Sequence, residues 1–225
     1  MGIHSKILVH WTGKGIEKYP KDENSQLYVE RLINDLQEGL YTKTTEEDVI
    51  RYLKIENITR LCFTEIRLSQ AQTHAERYGK LGLGFSRDFI MNKGGRPVIY
   101  IPFDAPADSR LLEDSLKNIL EKSKEYHDIH RSSKWIMTHV KRMWNEKGED
   151  YYEEMEWRIV HRENDKNIIS IGNGVHRLKF GPRDIKVIIF PNEDTKNLSL
   201  KNDYIKKYFS EHMPIIATLE DCPNF

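Results

Sequence analysis

Two rhythms run through the apolar positions of this chain, one of period two and one near 3.6, and their alternation marks out its elements. Lys6 to Trp11 is a short apolar strand that ends in a turn signal, Thr12-Gly13-Lys14-Gly15. From Ser25, a candidate cap, Leu27, Leu32, Ile33 and Leu36 recur at helical spacing to about Glu38, and Gly39 stops the helix. Thr44 to Glu47 opens a further short helix, with Val49, Ile50 and Leu53 as its apolar face. The stretch from Arg60 to Ile101 is the organising one. Leu61-Cys62-Phe63 reads as a buried strand, and a helix-compatible segment carries His74, Arg77 and Tyr78 up to Gly79. In the next run Leu81, Leu83 and Phe85 share one side at period two, while Gly82 and Gly84 hold the other. A strand bare on one face lets a backbone or a flat ligand approach closely. Ser86-Arg87-Asp88 opens a short helix, Gly94-Gly95 turns the chain, and Pro97 to Ile101 is a strand.

Pro102 to Asp108 reads as a loop, and Asp108 or Ser109 as the cap of a helix with Leu111, Leu112, Leu116, Ile119 and Leu120 as its stripe. A second helix is expected from about His130 to Glu146. It carries Trp135, Ile136, His139, Val140, Met143 and Trp144, and a basic face of Arg131, Lys134, Lys141 and Arg142. After Gly148 a strand runs from Tyr151 to Val160. Its alternation sends Met155, Trp157 and Ile159 one way and Glu154, Glu156 and Arg158 the other. Two carboxylates at that spacing repel unless a cation or a ligand pairs with them; a solvent-facing charged edge is the bland alternative. Ile168 to Ile171 and Arg177 to Phe180 flank Gly172-Asn173-Gly174, a hairpin signal. Ile185 to Phe190 is the most apolar strand, Leu200 to Phe209 a helix, and Pro214 to Leu219 the last strand. The whole is expected to be one α+β domain over residues 1–225, with helices inserted between mainly antiparallel strands.

Composition narrows the classes. The 225 residues are 38% hydrophobic and 31% charged, which supports a packed core rather than disorder. Lys+Arg and Asp+Glu balance at 35 each, so no global basic field for nucleic acid exists. The two cysteines, Cys62 and Cys222, lie far apart without metal spacing, which points to a reducing cytoplasm and no zinc site. No apolar run approaches the ~20 residues that span a bilayer, and no signal peptide is visible. The phosphate loop GxxxxGK[ST], the metal motif HExxH and the nucleophile elbow GxSxG are all absent. What remains is His10 and Trp11 at a strand end, Tyr78 and Ser86 around the glycine-rich strand, and Glu154 with Glu156 on a late strand. A glutamate can stabilise an oxocarbenium-like transition state or deprotonate a nucleophile, and a histidine can hold ribose hydroxyls.

Five landmarks carry a family resemblance: His10-Trp-Thr-Gly13, Cys62-Phe-Thr-Glu65, Tyr78 to Phe85, Pro97-Val-Ile-Tyr100 and Glu154-Met-Glu-Trp-Arg158. As a set they resemble the AbiGi-type abortive-infection proteins of bacteria and their prophages. That pattern in turn resembles the ADP-ribosyltransferase fold, a split sheet that clasps NAD. The resemblance implies NAD as substrate, with His10, Trp11 and Thr12 as its early-strand binders and Glu156, the second of a Glu-x-Glu pair with Glu154, as catalyst. Tyr78 or Ser86 would fill the middle position. Arg158 would orient Glu156 or bind a phosphate, and Arg87 and Arg77 would contact the pyrophosphate. ADP-ribose would then pass to RNA, DNA or protein in an infected cell. AbiGi-type proteins are also described as the antitoxin side of a two-gene defence system. That implies a second reading, a non-catalytic module that binds a cognate toxin, antitoxin or chaperone.

Overall fold

The computed structural model describes residues 6–50, 53–65, 67–102, 111–144, 150–161 and 166–224. In chain order the elements are β1 (Ile7–Thr12), α1 (Lys21–Glu38), β2 (Leu40–Lys43), β3 (Thr45–Ile50), β4 (Leu53–Ile58), β5 (Arg60–Thr64), α2 (Ala71–Tyr78), β6 (Leu81–Ser86), α3 (Arg87–Asn92), β7 (Arg96–Pro97), β8 (Ile99–Ile101), α4 (Leu111–Ser123), α5 (His127–Met137), β9 (Val140–Arg142), β10 (Glu156–Val160), β11 (Ile168–Gly172), β12 (Val175–Leu178), β13 (Ile185–Phe190), α6 (Glu193–Lys201), α7 (Asp203–Tyr208) and β14 (Ile215–Thr218). Seven strands form the main sheet in the order β14-β13-β6-β1-β5-β10-β7. All its pairings are antiparallel except β13 with β14. A three-stranded sheet, β11-β12-β2, and the pairs β3-β4 and β8-β9 lie apart from it. The architecture is α+β and mainly antiparallel, as the pattern predicts.

Each face of the main sheet buries a separate apolar set, because successive strand residues point to opposite sides. On one face Leu8, Phe63, Leu81, Leu83, Phe85, Trp157 and Ile159 meet Tyr28, Val29, Leu32 and Leu36 of α1. On the other, Val9, Trp11, Val187 and Ile189 meet Ala71 and Ala75 of α2, together with Leu219 and Cys222. A satellite core joins Ile101, Leu120, Met137 and Val140. The glycine side of β6 is filled by neighbouring side chains. A Cβ at Gly82 would lie 2.9 Å from Trp11 Cζ3, and one at Gly84 would collide with Val187 Cγ1. Those glycines make room for side chains on β1 and β13.

The strand expected from Tyr151 begins only at Glu156, and the one expected over Pro97 to Ile101 divides between β7 and β8; other expectations fail where a partner strand or a cap outweighs local periodicity. The helix expected from Thr44 is the β3-β4 hairpin instead. Thr44, Thr45, Val49 and Ile50 are β-branched, a chemistry that favours pleated backbone. The helix expected from His130 to Glu146 starts at His127 and stops at Met137, and Val140–Arg142 becomes a strand parallel to β8. Val140 is thereby drawn into the satellite core. The last helix divides at Asn202, whose side chain accepts from the N–H groups of Tyr204 and Ile205 and caps α7. The expected cap at Asp108 or Ser109 lies outside the described residues. The hairpin signal holds: Asn173 and Gly174 link β11 and β12 with φ of 52° and 68°.

Candidate functional site

β1 and β5 pair at Val9 and Thr64. One residue along, the His10 ring reaches the next strand in place of backbone: Nδ1 donates to the Cys62 carbonyl at 2.9 Å. A cavity of about 390 Å³ opens here, within the size range of small-molecule sites. Val9, His10 and Trp11 of β1, Arg60, Cys62 and Thr64 of β5, and Tyr78 at the end of α2 line it. Lys141 and Arg142 of β9, Tyr151, Glu154, and Glu156 and Arg158 of β10 complete the wall.

Glu154, Glu156 and Arg158 are almost fully buried, at 2%, 3% and 1% exposure, so the strand is no solvent-facing edge. β10 starts at Glu156, and Met155 before it adopts φ of 43° in the left-handed region. Glu154 therefore reaches the site from a tight turn rather than from the strand. Lys141 Nζ donates to Glu154 Oε2 at 2.6 Å and to Glu156 Oε2 at 2.7 Å, and lies 4.5 Å from the Tyr151 ring centroid. Arg158 Nε donates to Glu156 Oε1 at 2.6 Å, and its Nη1 donates to the Thr138 carbonyl at 2.5 Å. The Tyr78 hydroxyl donates to Glu154, and Arg77 stands 3.8 Å from the same carboxylate. The Glu156 N–H donates to the Tyr100 hydroxyl oxygen at 2.8 Å. The like-charge repulsion expected of the Glu pair is thus resolved by cations of the same chain.

Proton affinities follow from these contacts. Burial alone would raise the Glu156 carboxyl, but Arg158 and Lys141 outweigh it and hold the group far below the usual carboxylate range. Burial opposes the Lys141 charge, yet Glu156 and Glu154 leave its pKa raised. Burial, then the Glu154 charge and hydrogen bond, push the Tyr78 phenol up. Burial and the neighbouring Glu156 charge push the Cys62 thiol up to about 12, so it is a protonated thiol rather than a nucleophile at neutral pH. Burial lowers His10 to about 4, against the Cys62 carbonyl bond that favours its proton. His10 is neutral at pH 7 with its proton on Nδ1, because a carbonyl can only accept; Nε2 is then an acceptor.

The structure brings His10, Trp11, Tyr78, Glu154 and Glu156 around one cavity and leaves Thr12, Ser86 and Arg87 outside its lining. Trp11 donates its indole N–H to Thr64 Oγ1 at 3.0 Å. Thr12 Oγ1 accepts from Arg31 on the α1 side. Ser86 caps α3 by accepting from the Phe89 N–H. Arg87 pairs with Glu65, which also accepts from Trp157 Nε1 at 2.7 Å. Of the two residues open for the middle position, only Tyr78 lines the cavity. Lys141, Tyr100 and Tyr151 escaped sequence reasoning. Its sequence context puts Lys141 on a helix face, and the strand that aims it at the carboxylates exists only through its pairing with β8. Among the described residues no group of three or more His, Cys, Asp or Glu could hold a metal ion.

A family model described as "Putative abortive phage resistance protein AbiGi, antitoxin" matches residues 28–191, well over half of the chain. The chain belongs to the AbiGi family. The matched span contains every cavity residue except Val9, His10 and Trp11. No curated protein and no solved structure matches, so the comparisons lend nothing to the resemblance to the ADP-ribosyltransferase fold. Among the described residues no helix is long and apolar enough to cross a membrane.

Proposed function

We propose that this AbiGi-family protein is the antitoxin of a phage-defence pair and acts by holding a partner toxin rather than by chemistry at its cavity. The family match over residues 28–191 carries the reading. The state of the carboxylates supports it. Both oxygens of Glu156 are engaged by Arg158 and Lys141, and the group is a poor base because those cations favour its ionised form. The network reads as a buried polar clamp that sets β9 against β10. The test is growth and co-purification. The tagged chain is expressed alone, and the product of the adjacent gene is expressed alone and together with it. Harmless expression of the chain, arrest by its neighbour, and rescue with co-purification are expected. Growth arrest by the chain alone would overturn the reading.

One observation favours a second reading, ADP-ribosyl transfer from NAD to RNA, DNA or protein. His10, Trp11, Tyr78, Glu154 and Glu156, named from sequence for that chemistry, converge on one cavity. Its aromatic walls and its lysine and arginines suit the flat and the anionic parts of a dinucleotide. Glu156 would have to exchange Lys141 for substrate before it could act. Incubation with adenylate-labelled NAD and cell RNA, DNA or protein decides it. Transfer by wild type and none by Glu156→Gln, with the variant still folded by circular dichroism, would establish catalysis and displace the antitoxin reading.

A further inference from the structure

The cavity is walled from two bodies. β1, β5 and β10 of the main sheet and the end of α2 supply one side, and Lys141 and Arg142 of β9 supply another. β9 belongs to a separate small unit. It pairs with β8 outside the main sheet, and α4 packs on α5. Ile101, Leu120, Met137 and Val140, one from each of these four elements, form its core, and none of them belongs to either core of the main sheet. Leu112 and Ile119 of α4 and Ile129 and Ile136 of α5 are exposed, so no further layer holds the helices down from outside. Among the described residues, what joins this unit to the main sheet across the cavity is polar. Lys141 Nζ reaches Glu154 and Glu156, the Thr138 carbonyl accepts from Arg158, and the Tyr100 hydroxyl accepts from the Glu156 N–H. Such an interface parts more cheaply than an apolar one. Charges that leave it together regain the hydration lost on burial, which offsets much of their attraction. An apolar face has no such return from water. A unit with so small a core of its own is expected to open before the whole chain does.

We propose that β8, α4, α5 and β9 form a lid on the cavity, latched by Lys141 to Glu154 and Glu156, which swings out as one body while the main sheet stays folded. The Val98 N–H donates to the Glu156 carbonyl, so the lid pivots where Val98 joins β7 to β8. Opening carries Lys141 and Arg142 off the wall and frees both carboxylates from Lys141. The inference concerns access to the cavity and rests on neither reading of the function.

Hydrogen exchange of the full chain, read peptide by peptide by mass spectrometry, tests it. In the wild type, β8, α4, α5 and β9 are expected to exchange together, about tenfold or more faster than β1, β6 and β13, which are interior strands of the main sheet. Lys141→Met removes the latch and is expected to speed exchange of the lid by about tenfold or more again. Fraying of helix ends would not respond to that substitution. Gly84→Ala is the control. It crowds β6 against Val187 and Ile7, away from the lid, and should speed exchange in the main sheet while leaving the lid unchanged. Lid peptides that exchange in step with β1, β6 and β13 in the wild type overturn the proposal. So does a lid that ignores Lys141→Met, or one that Gly84→Ala speeds as much as the main sheet.

Discussion

Lys141→Met isolates what holds the buried carboxylates together. In the wild type one ammonium serves Glu154 at 2.6 Å and Glu156 at 2.7 Å, and only 16% of its side chain is exposed. Removing one partner of a buried ion pair costs about 3–5 kcal/mol, mainly because a desolvated charge is left behind. Arg158 still covers Glu156 in the variant, and Tyr78 still donates to Glu154. The lower end, about 3 kcal/mol, is therefore expected. For a chain of this length that lowers the thermal midpoint at pH 7 by roughly 6–12 °C. The sign of the pH dependence follows from the Glu156 carboxyl, whose folded-state pKa lies far below its unfolded one. Its contribution is complete above the unfolded value, about 4.3, and is lost as pH falls through the folded one. Without Lys141 the two carboxylates repel, and protonating one relieves them, so the deficit of the variant should shrink between pH 7 and pH 5. Adding Glu154→Gln to Lys141→Met should recover part of the loss, as expected for contacting groups. Circular dichroism melts of the three proteins at both pH values make the measurement. A Lys141→Met midpoint within about 2 °C of wild type at pH 7, less than 1 kcal/mol on the same scale, would refute the clamp.

Two other perturbations test the walls of the cavity. Folded His10 has its pKa lowered to about 4, below the ordinary value of 6.5, so the unfolded chain takes up the proton first. Stability is then lost as pH falls from about 6.5 toward 4. His10→Gln should flatten the dependence of the urea midpoint between pH 7 and pH 5; His74, also lowered to about 4 by burial, still contributes slope there, and Asp35, raised to about 6 by burial, opposes it. An unchanged slope would count against a neutral, half-buried His10. Gly84→Ala places a methyl group against Val187 Cγ1 and 2.8 Å from Ile7 Cγ2. Overpacking of that order costs about 2 kcal/mol, or roughly 4–8 °C in midpoint. An unaffected melt would show that β6 has slack on its glycine face.

Much of the fold was legible because alternation is a local property of the chain. Leu81, Leu83 and Phe85 at period two announce a strand with one core face, and all three are fully buried. The Gly172-Asn173-Gly174 turn announces β11 and β12, since positive φ at both central residues favours that chemistry. The same alternation put Glu156 and Arg158 on one face of β10 opposite Trp157 and Ile159, as found. Local pattern failed where a distant partner chose between conformations. Val140 to Arg142 continues a helical stripe in sequence, yet β8 and the satellite core extend it. Thr44 to Leu53 likewise reads as an amphipathic turn until β3 and β4 pair.

By itself, then, the sequence determined the strands of the main sheet, their faces and the chemical types at the site, because these depend on neighbours within a few positions. Only the tertiary structure decided which charges meet. It turned Lys141 from a surface base into the counter-charge of Glu154 and Glu156. It also spent Ser86 on a helix cap and Arg87 on Glu65. Whether a buried carboxylate is a reactive base or a satisfied clamp depends on which cation packing brings within about 3 Å, and that distance is set by residues far away in the chain.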